Sequence, residues 1–277
     1  MVSTPPRELH LFTTADYSAG HSDVLNRLIA SVTDFRAARP DVKLRHHLLL
    51  QRAAAGSEAG FPEWMRVTAI AERVSLSCAR NRMLAPALDD GIADDAVIAF
   101  PDDDAWYPRG VLDHILASFM AVPALDLWFC RYGRAAAADE MVTEIVPGFQ
   151  QTLSSASSNT TVLSGWLLHR LRHFDEALGV GTPAGGGEDT EFAARAFHQA
   201  RAARFWDVMA VGHRDAALEF RSRYYAGSLR AIAMHAHLSG AARVAWLRKL
   251  GVGATFALMG RMSLGEYVRA LAAAHGR

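Results

Sequence analysis

The sequence predicts an α/β protein built on an open, mostly parallel sheet flanked by helices. Three observations carry that expectation. Apolar runs alternate with helix-period runs across the first half of the chain, the pattern of successive β–α units. "VIAF" at Val97–Phe100 is continuously apolar, as a strand covered on both faces is. The 277 residues, 51% of them hydrophobic, suffice for one large core with or without a helical appendage.

The elements follow in order. "LHLFTTA" from Leu9 reads as a buried strand. "SDVLNRLIASVTDFRAA" reads as a helix with Ser22 as N-cap and Val24, Leu28 and Val32 at helical spacing. "VKLRHHLLLQ" is a second strand, with His46 and His47 read as structural. "AAAGSEAGFPEW" is a loop by its Gly, Ser and Pro content. "RVTAIAERV" is a third strand, "SLSCARNRMLAPAL" a helix, and "AVIAF" a strand. "GVLDHILASFM" is a helix again, and "LDLWFCRYG" a strand. The segment from about Arg221 reads as helical, so the expected organisation is a domain over 1–220 and a C-terminal helical extension over 221–277.

Charge divides along the same boundary. The formal net charge is zero, yet from Arg221 onward nine basic residues stand against one acid, Glu266, a net +8 balanced by −8 upstream. Two cysteines, Cys78 and Cys130, are too few for a disulfide framework and lack metal-ligand spacing. The N-terminal "MVSTPPRELHLF" has no apolar signal core, and no apolar run approaches bilayer-spanning length. A cytoplasmic protein is expected.

"VIAFPDDDAWYP" ends the apolar strand in three adjacent aspartates, Asp102, Asp103 and Asp104. A polar turn between Pro101 and Pro108 is the plain reading. In open α/β sheets, however, ligands bind at the carboxyl ends of strands. Clustered carboxylates there suit Mg²⁺ or Mn²⁺ beside substrate phosphates. The ion would turn their mutual repulsion into attraction and neutralise charge on a departing diphosphate.

"FPDDDAWYP" resembles the acidic strand-end motif of family 2 glycosyltransferases with the GT-A fold. Two further segments are similar, in the family's order. "SLSCARNRML" resembles the upstream helix, which implies that Arg80 approaches the donor nucleotide and Asn81 helps to fix the loop. "FDEALGVGTPAGGGEDTEFAARAF" resembles the downstream acceptor-side segment, with Glu188 and Asp189 behind a glycine-rich loop. The resemblance spans roughly residues 8–215. It implies a metal held by Asp103 and Asp104 with His213 as a further ligand, and Asp102 nearer the ribose or donor sugar, with Asp103 also on the donor side. Thr13 and Thr14, ending the first strand, would face the nucleotide.

Acids in the first turn of "EDTEFAARAFHQA" complement the helix dipole, worth about 0.3–1 kcal/mol. That leaves the preceding glycines unexplained; glycine lets a backbone approach a ligand closely or adopt positive φ. By resemblance, Asp189 is the general base that takes the acceptor proton, with Glu188 supporting it. One base opposite a departing nucleoside diphosphate implies inversion at the anomeric carbon. Trp106, Tyr107 and Trp166 are expected to pack.

The expected partners are a nucleotide-sugar donor, most commonly a UDP-sugar, and a glycan or lipid-linked saccharide acceptor. The basic tail, with Trp246, Leu247, Leu250, Phe256 and Leu258 among its arginines, reads as a solvated helical face or as an interfacial segment on an anionic membrane. No nucleic-acid motif accompanies its charge. Two other classes stay open: a phosphatase of haloacid dehalogenase type, which would need a hydroxyl where Trp106 stands, and a non-catalytic module of the same fold.

Overall fold

The computed structural model describes residues 8–275 apart from positions 19, 21, 140, 156 and 215–223. Arg221, Arg223 and Arg277 of the basic tail, and the boundary at 220/221, therefore lie outside the described residues.

Seven strands form one sheet: β1 (Glu8–Asp16), β2 (Lys43–Gln51), β3 (Met65–Ile70), β4 (Val97–Ala99), β5 (Leu125–Gly133), β6 (Thr161–Ser164) and β7 (Ala202–Gly212). Their order is β3-β2-β1-β4-β6-β5-β7. β6 pairs antiparallel with both β4 and β5, and the other pairings are parallel. The helices described are α1 (Asp23–Ala38), α2 (Leu76–Asp89), α3 (Val111–Ala121), α4 (Phe149–Ser155), α5 (Gly165–Leu171), α6 (Glu188–Gln199), α7 (Tyr225–His235), α8 (Gly240–Leu258) and α9 (Leu264–His275). The expected mostly parallel α/β sheet with a helical C-terminal segment is what forms.

Strand alternation divides the core into two layers. Leu9, Leu11, Leu48, Leu50, Val97 and Ala99 face α1 and α3. Phe12, Leu49, Ile98 and Phe100 face the opposite layer, with α2, α5 and α6. Helices on both sides leave no polar face for the strands, hence the unbroken "VIAF". Ser22 caps α1 as expected, its hydroxyl accepting from the Leu25 amide at 3.3 Å. The buried stripe of α1 is Leu25, Leu28, Ile29, Val32 and Phe35. Leu28 and Val32 lie on it as read, whereas Val24 is exposed and Leu25 takes the place on the buried face.

His46 and His47 lie within β2 and are buried. Burial holds both imidazoles down, to about 3. The C-terminal helices pack back on the sheet layers through α6. His235 of α7 lies 3.3 Å from Glu191 of α6, and Glu191 also holds Arg195 through two contacts of 2.9 Å. Tyr225 is fully buried, and its hydroxyl donates to the Lys249 carbonyl at 3.0 Å. Among the described residues, no helix is long and apolar enough to cross a membrane.

Candidate functional site

β1, β4, β5 and β7 run in one direction, so their carboxyl ends share an edge; β6, running against them, begins there. A cleft of about 1020 Å³ opens at that edge. Asp102, Asp103, Asp104, His213, Glu188 and Asp189, which the sequence places up to 111 positions apart, all line it.

Beyond β4 the chain makes a turn in which the Ala105 amide donates to the Asp102 carbonyl at 3.1 Å. Trp106 then exchanges two backbone hydrogen bonds with Gly212, of 3.0 and 2.8 Å. This exchange ties the aspartate turn to the end of β7. It requires glycine, because a Cβ at Gly212 would stand 1.9 Å from a Trp106 ring carbon. Trp106 packs there, with the Arg27 guanidinium over its ring at 3.2 Å from the centroid.

The next residue, His213, is thereby delivered to Asp104, with Nε2 2.9 Å from Oδ1. Nδ1 lies 2.7 Å from the Arg214 carbonyl, a contact that places a hydrogen on Nδ1. Burial opposes a second proton, but Asp104 beside Nε2 outweighs it and raises the imidazole's value. Nε2 therefore offers its lone pair to a cation that displaces that proton. Nε2 is buried and makes no well-aligned hydrogen bond. Among the described residues, Asp102, Asp104 and His213 form the set whose ligand atoms all lie within 4.8 Å of one another. Two carboxylates and an imidazole nitrogen that can give up its proton suit a divalent cation. The turn gathers its first and third side chains around His213, and Asp103 is not in that set. Burial, reinforced by Asp104 and Asp102, pushes the Asp103 carboxyl up to about 6. Burial likewise raises Asp102. In Asp104 burial is outweighed by His213 and Arg214, and its value is lowered.

Glu188 and Asp189 open α6. Its N-cap, Gly187, has φ +95°, and a Cβ there would meet the Gly227 carbonyl at 2.3 Å. The glycine run therefore serves the close approach of the loop to α7. Glu188 is buried, and burial followed by the neighbouring Asp189 pushes its carboxyl up to about 7. Asp189 accepts from Arg80 at 2.9 Å and from the Ser158 amide at 3.0 Å.

Arg80 joins the two acidic motifs. Its side chain, 2% exposed, gives one nitrogen to Asp189 and the other to Asp102 at 3.2 Å, with its plane 5.0 Å above Phe174. Asp102 is held further by Asn159, whose amide oxygen accepts from the Asp102 backbone at 2.6 Å. Asn159 Nδ2 donates to the Asp102 carboxylate at 2.8 Å. Nothing in the run "SSASSNTT" marked Ser158 and Asn159 as site residues. They reach the site because β6 is antiparallel and starts at the carboxyl edge of the sheet.

The remaining expected residues divide. Thr14 lines the cleft, with Asp16, Gln51 and Arg73 beside it. Thr13, on the other face of β1, is fully buried and bonds to His46 Nε2 at 3.0 Å. Asn81 clamps a loop: it donates to the Phe174 carbonyl at 2.9 Å and accepts from the Phe174 amide at 2.8 Å.

No protein-family model and no curated protein matches the sequence. Solved structures do. S. aureus TarS 1–349 in complex with UDP superposes with a TM-score of 0.69 at 14% identity, over 96% of this chain and 80% of that one. The complex of the same protein with UDP-GlcNAc gives 0.68 at 14% identity, over 95% and 79%. The mannosyltransferase PcManGT from Pyrobaculum calidifontis, in complex with GDP-Man and Mn²⁺, gives 0.58 at 14% identity, over 98% and 79%. The chain has the GT-A glycosyltransferase fold. Within that fold, the cleft lies at the carboxyl edge of the sheet, where the acidic turn, the histidine after β7 and the head of α6 converge.

Proposed function

We propose that the chain is an inverting glycosyltransferase that moves a sugar from a nucleotide-sugar, a UDP-sugar first among them, to a hydroxyl of a glycan or lipid-linked saccharide. The observation that carries this reading is Arg80. One buried guanidinium holds Asp102, in the acidic turn, and Asp189, at the head of α6, in one cleft. The similarity to structures that hold UDP, UDP-GlcNAc and GDP-Man with Mn²⁺ supports it.

Asp104, His213 and Asp102 would hold the cation, with Mn²⁺ favoured over Mg²⁺ by the imidazole nitrogen in the donor set. Bound there, it supplies positive charge to the diphosphate leaving group. Asp102 thus takes the ligand place that resemblance gave to Asp103, and Asp103 keeps the donor-side place that resemblance also gave it. Asp103 faces the donor, and Asp102 is fixed between Arg80 and Asn159. Thr14, Asp16 and Gln51 form the donor-side wall, whereas Arg80 and Asn81 act by positioning.

Asp189 takes the acceptor proton as the acceptor oxygen attacks. The bonds from Arg80 and the Ser158 amide fix its orientation while leaving a lone pair on each oxygen. Glu188, with its raised carboxyl, donates or accepts a hydrogen bond to an acceptor hydroxyl as pH dictates. The C-terminal helices, whose basic residues have few acids near them, are where the protein meets an anionic membrane surface on its cytosolic side.

The test is calorimetric titration of nucleoside diphosphates and nucleotide-sugars with and without Mn²⁺, on wild type and Asp189→Asn. Wild type should bind one nucleotide class only with the metal. Asp189→Asn should keep that binding within about twofold while transfer falls about 10²–10⁴-fold. Transfer by Asp189→Asn at the wild-type rate would remove Asp189 as base, and absence of nucleotide binding would remove the transferase reading.

A further inference from the structure

A second cavity, of about 620 Å³, lies between α7, the corner joining α8 to α9, and the loop at Pro183 and Ala184. Arg230 reaches it from α7, Arg261 from the corner and Arg269 from α9. Glu266 lines it too, but its Oε2 is already engaged by the Ser263 amide and hydroxyl, both at 2.7 Å. Ser263 and, after it, the charge of Arg269 hold the Glu266 carboxyl below its usual range, so one carboxylate stands against three guanidinium groups in the lining. The same corner exposes large apolar side chains: Leu258 is 90% exposed, Leu264 70%, Met259 64% and Val268 55%.

We propose that this corner docks on an anionic bilayer, with the cavity holding the phosphoryl headgroup of one lipid. Guanidinium forks match phosphate oxygens in pairs, and three forks against one carboxylate around one hollow leave a net positive charge that favours a group carrying at least one negative charge. Leu258, Met259 and Leu264, at the corner that carries Arg261, enter the acyl boundary, the combination that interfacial helices use. Arginine density alone would fit a soluble polyanion; the exposed apolar residues at the same corner, outside the lining of the hollow, select the lipid. Pro183 and Ala184, in the cavity wall, lie just upstream of Glu188 and Asp189. A headgroup held here therefore sits against the loop that leads into the cleft. The assignment rests on the membrane-surface reading of the C-terminal helices and is independent of the transferase reading.

The experiment is flotation of the full chain with vesicles of phosphatidylcholine alone or mixed in equal parts with phosphatidylglycerol. Wild type should float only with the anionic vesicles. The triple variant Arg230→Gln, Arg261→Gln, Arg269→Gln should lose about fivefold in affinity per charge, about a hundredfold in all. Leu258→Ser with Leu264→Ser should also lose flotation while melting as wild type does, since both side chains are exposed. If wild type does not float, the membrane reading falls and the transferase reading stands. If wild type and the triple variant float equally, the headgroup cavity falls. Calorimetric binding of inorganic phosphate or glycerol phosphate that needs the arginines, without flotation, would make the ligand a soluble phosphate. A dimer by light scattering that the two serine substitutions dissolve, again without flotation, would make the corner a contact between copies. Either result overturns the lipid assignment.

Discussion

Arg80→Met isolates the contact on which the site depends. The substitution keeps the apolar stem against Phe174 and removes the charge. Arg80 is 2% exposed, and its two partners, at 2.9 and 3.2 Å, are themselves about three-tenths exposed. Removing one partner of a fully buried pair costs about 3–5 kcal/mol. Water reaches the carboxylates here, so the expected loss is at the lower end, about 3 kcal/mol. It should be read by urea denaturation near neutral pH without divalent metal. A double-mutant cycle with Asp189→Asn separates the contact from the rest: the coupling should be about 1.5–3 kcal/mol, because the neutral amide no longer needs the cation. In the presence of Mn²⁺, transfer should fall more than nucleotide binding, since Asp189 loses its orientation while Asp104 and His213 are untouched. A stability loss below about 1 kcal/mol with no coupling would refute the argument. Arg80 would then be a solvated charge, and the two acidic motifs would be held together by the backbone alone.

Three further outcomes follow from the same geometry. Gly212→Ala drives a methyl into Trp106 and should cost about 3 kcal/mol or more by thermal or chemical denaturation; combining it with Trp106→Ala should recover part of that loss, and no recovery would show that the clash is not the cause. Buried neutral His46 and His47 must bind protons on unfolding in acid. These two histidines therefore contribute nothing above about pH 6.5 and a loss of about 2.7 kcal/mol per pH unit below it, towards their folded-state value of about 3. The raised Asp103 and Glu188 carboxyls, protonated in the folded chain first, act in the opposite sense between their unfolded and folded values. His47→Leu should lower the slope by about 1.4 kcal/mol per pH unit relative to wild type, and an unchanged slope would place the acid sensitivity elsewhere. Asn159→Ala should weaken metal-dependent nucleotide binding about tenfold by freeing Asp102, without changing the order of nucleotide preference; calorimetry reads both.

The sequence by itself determined the class of the fold and the chemistry available to it. Alternating apolar runs announce strands between helices. The Ser22 cap bonds as read, and the three segments around Arg80, Asp104 and Asp189 carry the residues that meet in the cleft. Periodicity and capping are interactions over a few residues, so they are written locally. Direction and partnership were decided only in the tertiary structure. Thr13 and Thr14 are neighbours, yet strand parity buries one against His46 and opens the other to the cleft. Val24 lies one position off the buried stripe of α1, a choice between it and Leu25 that only packing sets. Asn159 reaches Asp102 because the short strand β6 runs antiparallel, which its four residues do not reveal. Asp102 and Asp104, with Asp103 apart, face His213 because a turn and a two-bond exchange between Trp106 and Gly212 orient them. Resemblance placed Arg80 beside the donor nucleotide; its burial between carboxylates 22 and 109 residues away follows from the order in which the strands pair. Such contacts depend on the register of the whole sheet, and no window of sequence contains it.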